Sequence, residues 1–350
     1  MTTIETRLPM VLVGLNFGRH IVADLMRDGG NPHVRLAGLC DLDRARAEEL
    51  AAQYDGLPVY DSLDAVLADH AIPAVGLYTG PNGRAALLAK IIRAGKDVMT
   101  TKPFELEPEA AEAVLDEARE RGRIIHMNSP NPGISPSLAV IGRWLEQYDL
   151  GAPVGARADV WTHYREEADG GWYDDPDKCP VAPVFRLGIY LINDLVRLFG
   201  RVRLVGVIGT RLFTGRPTKD NAQLAIEFEN GAIGNVYASF CVRDGDHYRN
   251  GLTLNYERGT IYRNVGAQRD GTTSELALVV NDGEWKPRRV ASQARVESDS
   301  GGYDWAGFAA AVRGEANAPA YDIDHIVEPL RVIRAMALAE ASGTFERVVR

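Results

Sequence analysis

The chain has 350 residues, 45% of them hydrophobic and 25% charged, the proportions of a folded protein long enough for two domains. A net charge of -9 and a pI near 5.4 exclude the broad basic field that nucleic acid or an anionic membrane surface would need, which leaves a small molecule as the expected partner. No apolar run is long enough to cross a bilayer, and the opening MTTIETRLPM lacks the order of a signal peptide. Cys40, Cys179 and Cys241 fall outside any disulfide or metal spacing, so a cytoplasmic chain with reduced thiols and no structural metal is expected.

Up to Asn128, short apolar runs alternate with helical stripes. Met10 to Val13 reads as a strand; Ile21, Val22, Leu25 and Met26 then recur at helical spacing until Gly29-Gly30 stops them. Val34 to Cys40 is a second strand, Arg44 to Tyr54 a helix capped by Asp43, Ser62 to Ala68 a short helix, and Ala74 to Tyr78 a third strand. Helices Gly83 to Ala94 and Pro108 to Arg121, closed by Gly95 and Gly122, alternate with strands Val98 to Thr101 and Ile124 to Met127. Strands joined by crossover helices give a doubly wound parallel sheet, so residues 1–128 are expected to form an α/β domain of the Rossmann type.

Three prolines in SPNPGISPS mark a boundary before a helix at Ser137 to Tyr148. The runs Gln223 to Phe228, Gly234 to Phe240, Leu252 to Tyr256 and Leu276 to Val280 have period two and end in turns such as Glu229-Asn230-Gly231. Residues 129–320 therefore read as an α+β domain with an antiparallel sheet. The last helix, Ile323 to Ala341 with Pro329 as a kink, repeats Ile326, Leu330, Ile333 and Ala337 on one stripe, and residues 321–350 are expected to pack back on the first domain.

In VLVGLNFGRHI, Gly14 and Gly18 stand where the first strand turns into its helix, and helix N-terminal amides there can hold a pyrophosphate. Asn16 replaces the middle glycine of a G-x-G-x-x-G turn, and its β-carbon takes space where backbone should meet phosphate. Asp41 closes the second strand, from which a carboxylate can accept hydrogen bonds from ribose hydroxyls and repel a 2′-phosphate. Each such bond contributes about 1.5–3 kcal/mol, a bias toward NAD that Arg44 and Arg46 leave open to NADP.

These residues resemble the Gfo/Idh/MocA family, named for glucose-fructose oxidoreductase and inositol dehydrogenase. The likeness covers nearly the whole chain, through GLNFG, Asp41, YTGPN, AGKDVMTTKP, RLGIYLIND and DNAQLAIEFENGAIGNVYASF. It implies a second domain with a large open sheet that mediates assembly into a homodimer or homotetramer. It also places Asn16, Phe17, Thr79, Gly80 and Pro81 among the cofactor-binding stretches. The implied reaction is hydride transfer between nicotinamide and a secondary alcohol or ketone of a sugar, polyol or related compound.

The family carries a lysine beside nicotinamide and substrate in a Lys-Pro pair usually preceded by Glu; here the stretch is Thr101-Lys102-Pro103, and Lys102 is implied as catalytic and cofactor-binding. A second signature, D-x-G-x-H, reads here Arg186-Leu187-Gly188-Ile189-Tyr190. Tyr190 stands where the histidine stands, as in the glucose-fructose oxidoreductase branch, and a phenol can move the same proton where a cation such as Lys102 stabilises the phenolate. Arg186 puts a permanent cation in place of an acid. It either clamps a carboxylate or phosphate on an acidic substrate, or pairs with Asp174, Asp175 or Asp177, or marks a site that no longer catalyses. Val181-Ala182-Pro183 occupies the ground of the family's glycines. Asn193 replaces a further acid and can still bond substrate hydroxyls, while His163 and Trp172 are further substrate candidates, each equally readable as a packed residue. Two rivals stay open: an NAD-dependent glycosidase, and a dinucleotide-binding regulatory protein with a degenerate site.

Overall fold

Among the residues that the computed structural model describes (7–245, 248–266, 272–281, 283, 287–298 and 301–350), contiguous apolar runs become strands buried on both faces. The stretch up to Gly133 holds β1 (Leu8–Val13), α1 (Leu15–Met26), β2 (Val34–Cys40), α2 (Arg44–Ala52), α3 (Leu63–Ala68) and β3 (Ala74–Leu77). It continues with α4 (Arg84–Arg93), β4 (Asp97–Thr100), α5 (Pro108–Glu120) and β5 (Ile125–Met127). The five strands are parallel in the order β2-β1-β3-β4-β5, and every residue of β3 and β4 is buried, as helices on both faces of a parallel sheet require. Asp43 and Ser62 cap α2 and α3 by accepting from the Arg46 and Ala65 N–H groups, each at 3.2 Å.

The next stretch holds α6 (Pro136–Gln147), β6 (Pro153–Trp161), α7 (Ile189–Phe199), β7 (Val202–Thr210), β8 (Asn221–Phe228) and β9 (Ile233–Ser239). After these come β10 (Arg249–Tyr256), β11 (Gly259–Arg263), β12 (Thr273–Val280) and β13 (Arg289–Glu297). Then follow α8 (Trp305–Val312), α9 (Asp324–Ser342) and β14 (Glu346–Arg347). The nine strands β6–β14 form one sheet in the order β13-β12-β11-β10-β6-β9-β8-β7-β14, antiparallel except for the β6–β9 pair. Period-two alternation sets its faces: Ala222, Leu224, Ile226 and Phe228 of β8 are buried, and Gln223 between them is exposed.

By compactness the chain divides into two units, one formed by residues up to Gly133 with Tyr303–Ile323, the other by Ile134–Gly302 with Asp324–Arg350. Trp305, Phe308 and Ala309 of α8 join the first unit's core beside Leu12, Leu15 and Tyr78. By compactness the closing helix α9 belongs to the second unit, against β7 and α7, where its sequence position suggested the first domain. Of its stripe, Ile326, Leu330 and Ile333 are buried as expected and Ala337 is half-buried, but periodicity identifies the buried face of a helix and not the surface that covers it.

Candidate functional site

In the first unit, the carboxyl ends of β1 and β3 lie side by side where the strand order reverses, the place at which open parallel sheets take ligands. Gly14 follows β1 at φ 88°, and a β-carbon there would stand 3.0 Å from both the Thr79 nitrogen and the Tyr78 carbonyl carbon, so the turn requires glycine. Helix α1 begins at Leu15, which puts Asn16 and Phe17 in its first turn. Both are exposed, and no acidic residue shares that turn. Their amides and the positive end of the helix suit a phosphate. Asn16, whose β-carbon was expected to crowd the phosphate, is exposed. Gly18 lies inside α1 with Leu15, Tyr78 and Leu12 at 3.6–3.8 Å from its would-be β-carbon, so it serves the packing of helix on sheet.

Thr79, Gly80 and Pro81 follow β3. The Thr79 hydroxyl is buried and has no hydrogen-bond partner among the described residues, so a polar ligand in this crevice would satisfy it. Asp41, just past β2, accepts from the Leu15 N–H at 2.5 Å, the Asp43 N–H at 2.8 Å and Arg46 Nη1 at 3.2 Å. Arg46 also reaches Asp43 at 3.3 Å, and Arg44 pairs with Glu48 at 2.7 Å and with Asp61. Both arginines that kept NADP open therefore already face carboxylates. The glycine turn, the helix start without acids, the unpaired Thr79 hydroxyl and the acid after β2 fit a nicotinamide dinucleotide.

Lys102 is half-buried and follows β4; its N–H donates to Asn128 Oδ1 at 3.1 Å. Thr101, which replaces the family's glutamate, is buried with its hydroxyl 3.4 Å from the same Asn128 oxygen.

In the second unit, a π-helical turn over Val184–Gly188 carries Arg186 and Gly188 into α7, a geometry frequent at functional sites. A β-carbon on Gly188 would meet Val184 at 3.0 Å and Val236 at 3.2 Å, so glycine lets the turn lie against β9. Val181 before it adopts φ 44°, a left-handed conformation in the ground of the family's glycines, and its N–H donates to Glu340 of α9 at 2.9 Å. Tyr190 is half-buried in the first turn of α7, close enough to Gly301 that a β-carbon there would stand 2.8 Å from its hydroxyl. Asn193 is buried on the same helix. The next residue, Asp194, pairs at 2.7 Å with Arg263 of β11, whose Nη2 donates to Asn250 of β10 at 3.0 Å.

Arg186, Trp172 and His163 gather past the carboxyl ends of the parallel pair β6 and β9, where His163 and Cys241 form an isolated antiparallel bridge. Arg186 takes none of the three aspartates foreseen for it. Its guanidinium donates to both oxygens of Glu166, at 2.7 and 2.9 Å, and lies 3.9 Å from the Tyr173 ring centre and 4.7 Å from that of Phe240. Arg216 also binds Glu166, at 2.9 Å, and holds Asp169 at 3.0 Å and Asp174 at 2.6 Å. Burial works to raise the Glu166 pKa, but hydrogen bonds and charge from Arg186 and Arg216 outweigh it and hold the carboxyl below its ordinary value. Trp172 packs on Tyr173, with ring centres 4.1 Å apart, and edge-on to Phe185; His163 is half-buried with Nε2 lacking a partner among the described residues.

Two family models match the chain: an oxidoreductase family with an NAD-binding Rossmann fold over residues 8–129, and the Gfo/Idh/MocA C-terminal domain over residues 139–262. The chain belongs to the Gfo/Idh/MocA oxidoreductase family. Within it, the chain is similar to UDP-N-acetylglucosamine 3-dehydrogenase of Acidithiobacillus ferrooxidans, 27% identical over 60% of this chain and 61% of that protein, so the match spans less than two thirds of the relative. Among solved structures, an NAD binding oxidoreductase from Klebsiella pneumoniae superposes with a TM-score of 0.71 at 18% identity over 99% of this chain and 100% of that one. Levoglucosan dehydrogenase, in complex with NADH and L-sorbose, superposes with 0.73 at 16% identity over 99% and 100%. At these identities the structural likeness speaks for the shared Gfo/Idh/MocA fold.

The sequence reading missed Glu166 and Arg216, whose partners lie 20 to 50 residues away along the chain. It also missed Arg84 and Glu105. For Arg84 one signal was present, since a cation at the first position of a helix opposes the helix dipole and calls for a local reason.

Proposed function

We propose that the chain is an NAD-dependent dehydrogenase or reductase acting on a secondary alcohol or ketone of an uncharged sugar or polyol. The observation that carries the cofactor half of this reading is the close approach of Gly14 to Thr79 at the reversal of strand order, beside a helix start without acids. Amides of Asn16 and Phe17 would hold the pyrophosphate, Asp41 the ribose hydroxyls, and the Thr79 hydroxyl, with Gly80 and Pro81, the segment toward nicotinamide. When bound, the nicotinamide supplies or accepts the hydride; placement and field come from the chain. Lys102 donates from its ammonium to the reacting oxygen and holds charge there. Tyr190 moves the hydroxyl proton.

The uncharged substrate rests on the Arg186 cluster. Arg186 and Arg216 face three carboxylates, Glu166, Asp169 and Asp174, so the cluster presents no surplus positive charge to an acidic substrate. Trp172 then offers an aromatic face and Asn193 and His163 polar groups for hydroxyls. Two of the proteins above carry sugars in their names: levoglucosan dehydrogenase, in complex with the uncharged L-sorbose, agrees with this reading, whereas UDP-N-acetylglucosamine 3-dehydrogenase is named for a sugar that carries a diphosphate. Assembly into a homodimer or homotetramer belongs to the same proposal, through the sheet face carrying Ile208 and Ile233, 75% and 65% exposed, with Tyr237 and Trp161. So does a cytoplasmic location, which rests on the dispersed cysteines of the sequence.

The test is a panel of neutral sugars, polyols and uronic acids with NAD, and ketoses with NADH, followed at the nicotinamide absorbance. Neutral compounds are expected to turn over faster than uronates, and Tyr190→Phe to bind NADH normally while turnover falls roughly tenfold or more. Full turnover in Tyr190→Phe sinks that assignment. NADH binding without turnover of any compound favours the regulatory reading, and release of the phenol from aryl glycosides without net cofactor reduction favours the glycosidase.

A further inference from the structure

We infer that Arg84 is a positioning residue for Lys102, acting through the carbonyl oxygens on either side of it. This rests on the reading that Lys102 works beside the nicotinamide.

Arg84 is the first residue of α4 and is 1% exposed. A guanidinium in that position is costly unless its donors are used, and an apolar residue would fill the same space without desolvating a charge. Its Nη1 donates to the carbonyl of Thr101 at 2.6 Å, of Pro103, and of Phe104 at 3.2 Å, while Nη2 donates to the carbonyl of Thr79. One side chain thus grips the backbone immediately before and after Lys102 and ties it to the residue that meets Gly14 at the cofactor crevice. Glu105 returns the hold from the far end of the same turn. Buried at 1% exposure, it accepts from the Gly83 N–H at 3.2 Å and the Ala85 N–H at 2.7 Å at the start of α4, and from its neighbour Leu106 at 2.7 Å. The helix start and the Lys102 turn are each fastened by the other's charged side chain.

Lysine has a flexible stem, so the reach of its ammonium is only as well defined as the backbone beneath it. A displacement of about 1 Å at a reacting centre costs on the order of a hundredfold in rate. Arg84 and Glu105 confine that backbone from both ends, and the Asn128 bond to the Lys102 N–H confines it from a third side.

The experiment uses the full chain, whose six lysines make it tractable. The protein is reductively methylated with carbon-13 formaldehyde, the Lys102 resonance is identified by its loss in Lys102→Arg, and NADH is added to saturation. In the unsubstituted protein the Lys102 resonance moves on NADH addition. In Arg84→Gln, shown to be folded by circular dichroism and a cooperative melt, that movement is expected to fall by about half or more. Amide exchange over residues 101–106 rises roughly tenfold, while the Lys178 and Lys219 resonances stay in place. A folded Arg84→Gln protein with the full Lys102 response overturns the inference, whether or not exchange rises, because a residue that only stabilises the fold would leave that response intact. If Arg84→Gln does not fold, Arg84→Lys, which keeps the charge but cannot reach all four carbonyls, carries the same expectation. A Lys102 resonance that ignores NADH in the unsubstituted protein removes the reading on which the inference rests, and is seen before any Arg84 variant is made.

Discussion

Glu166 binds Arg186 with both carboxylate oxygens, at 2.7 and 2.9 Å, and so answers from within the chain the cation that stands where the family has an acid. The Arg186 side chain is 10% exposed and that of Glu166 28%. Removing one member of a fully buried pair costs about 3–5 kcal/mol, and the partial exposure of Glu166 brings the expected loss in Glu166→Gln to about 2–3 kcal/mol. Urea unfolding at neutral pH measures it. A loss below about 0.5 kcal/mol would show the pair to be worth no more than a surface one.

His126 sets an acid limit on stability. It packs against Phe308 and Tyr321, with ring centres 5.7 and 5.5 Å away, and burial pushes its pKa down to about 4, with Asp304 and a bond to the Pro319 carbonyl opposing. Between the unfolded value of 6.5 and the folded one the unfolded chain binds more protons, so stability falls as pH falls through that window. Between pH 7 and 5 this residue alone removes about 2 kcal/mol. Comparing the unfolding free energy of the parent and of His126→Gln at both pH values should recover that difference, and parallel pH profiles would exclude it.

Val181 reverses the usual order of core substitutions. Its side chain is buried, yet its φ of 44° costs a non-glycine residue about 1–2 kcal/mol. Val181→Ala loses packing and keeps the strain. Val181→Gly loses slightly more packing and relieves the strain, so it is expected to melt at or above the temperature of Val181→Ala. A glycine variant that melts well below the alanine variant would refute this.

Gly14→Ala brings a β-carbon to 3.0 Å from the Thr79 nitrogen at a φ of 88°. The turn must open to relieve a strain of about 1–2 kcal/mol, and NADH affinity is expected to weaken roughly tenfold. Fluorescence titration with NADH decides it, and an unchanged Kd would mean that the cofactor lies elsewhere.

The parallel sheet was legible because each strand and helix carries its signal locally: Val34–Cys40 matches the run read from sequence residue for residue. Strand β7 was not, since Gly206 and Gly209 break its apolar run, nor was the edge strand β13, whose exposed residues leave little alternation. The site followed the same rule. Gly14 and Asp41 announce themselves by position after a strand, but the partner of Arg186 could not be read from spacing. Glu166 lies 20 residues upstream in a loop, nearer in sequence to nothing that singles it out than Asp174, Asp175 and Asp177 are to Arg186. Charge pairing across a fold is set by topology, which local pattern does not encode.

The first unit's core is closed by Trp305, Phe308 and Ala309, which the chain delivers only after completing most of the nine-stranded sheet. A ribosome therefore releases every strand of the parallel sheet long before the residues that seal it. A fragment ending near Gly133 would carry the glycine turn, Asp41 and Lys102 and still show water a face of its interior. In synthesis, the second unit's strands must emerge before the first unit can finish folding, and exchange of one half for a relative's would have to cut the gene at three places, near residues 133, 302 and 323.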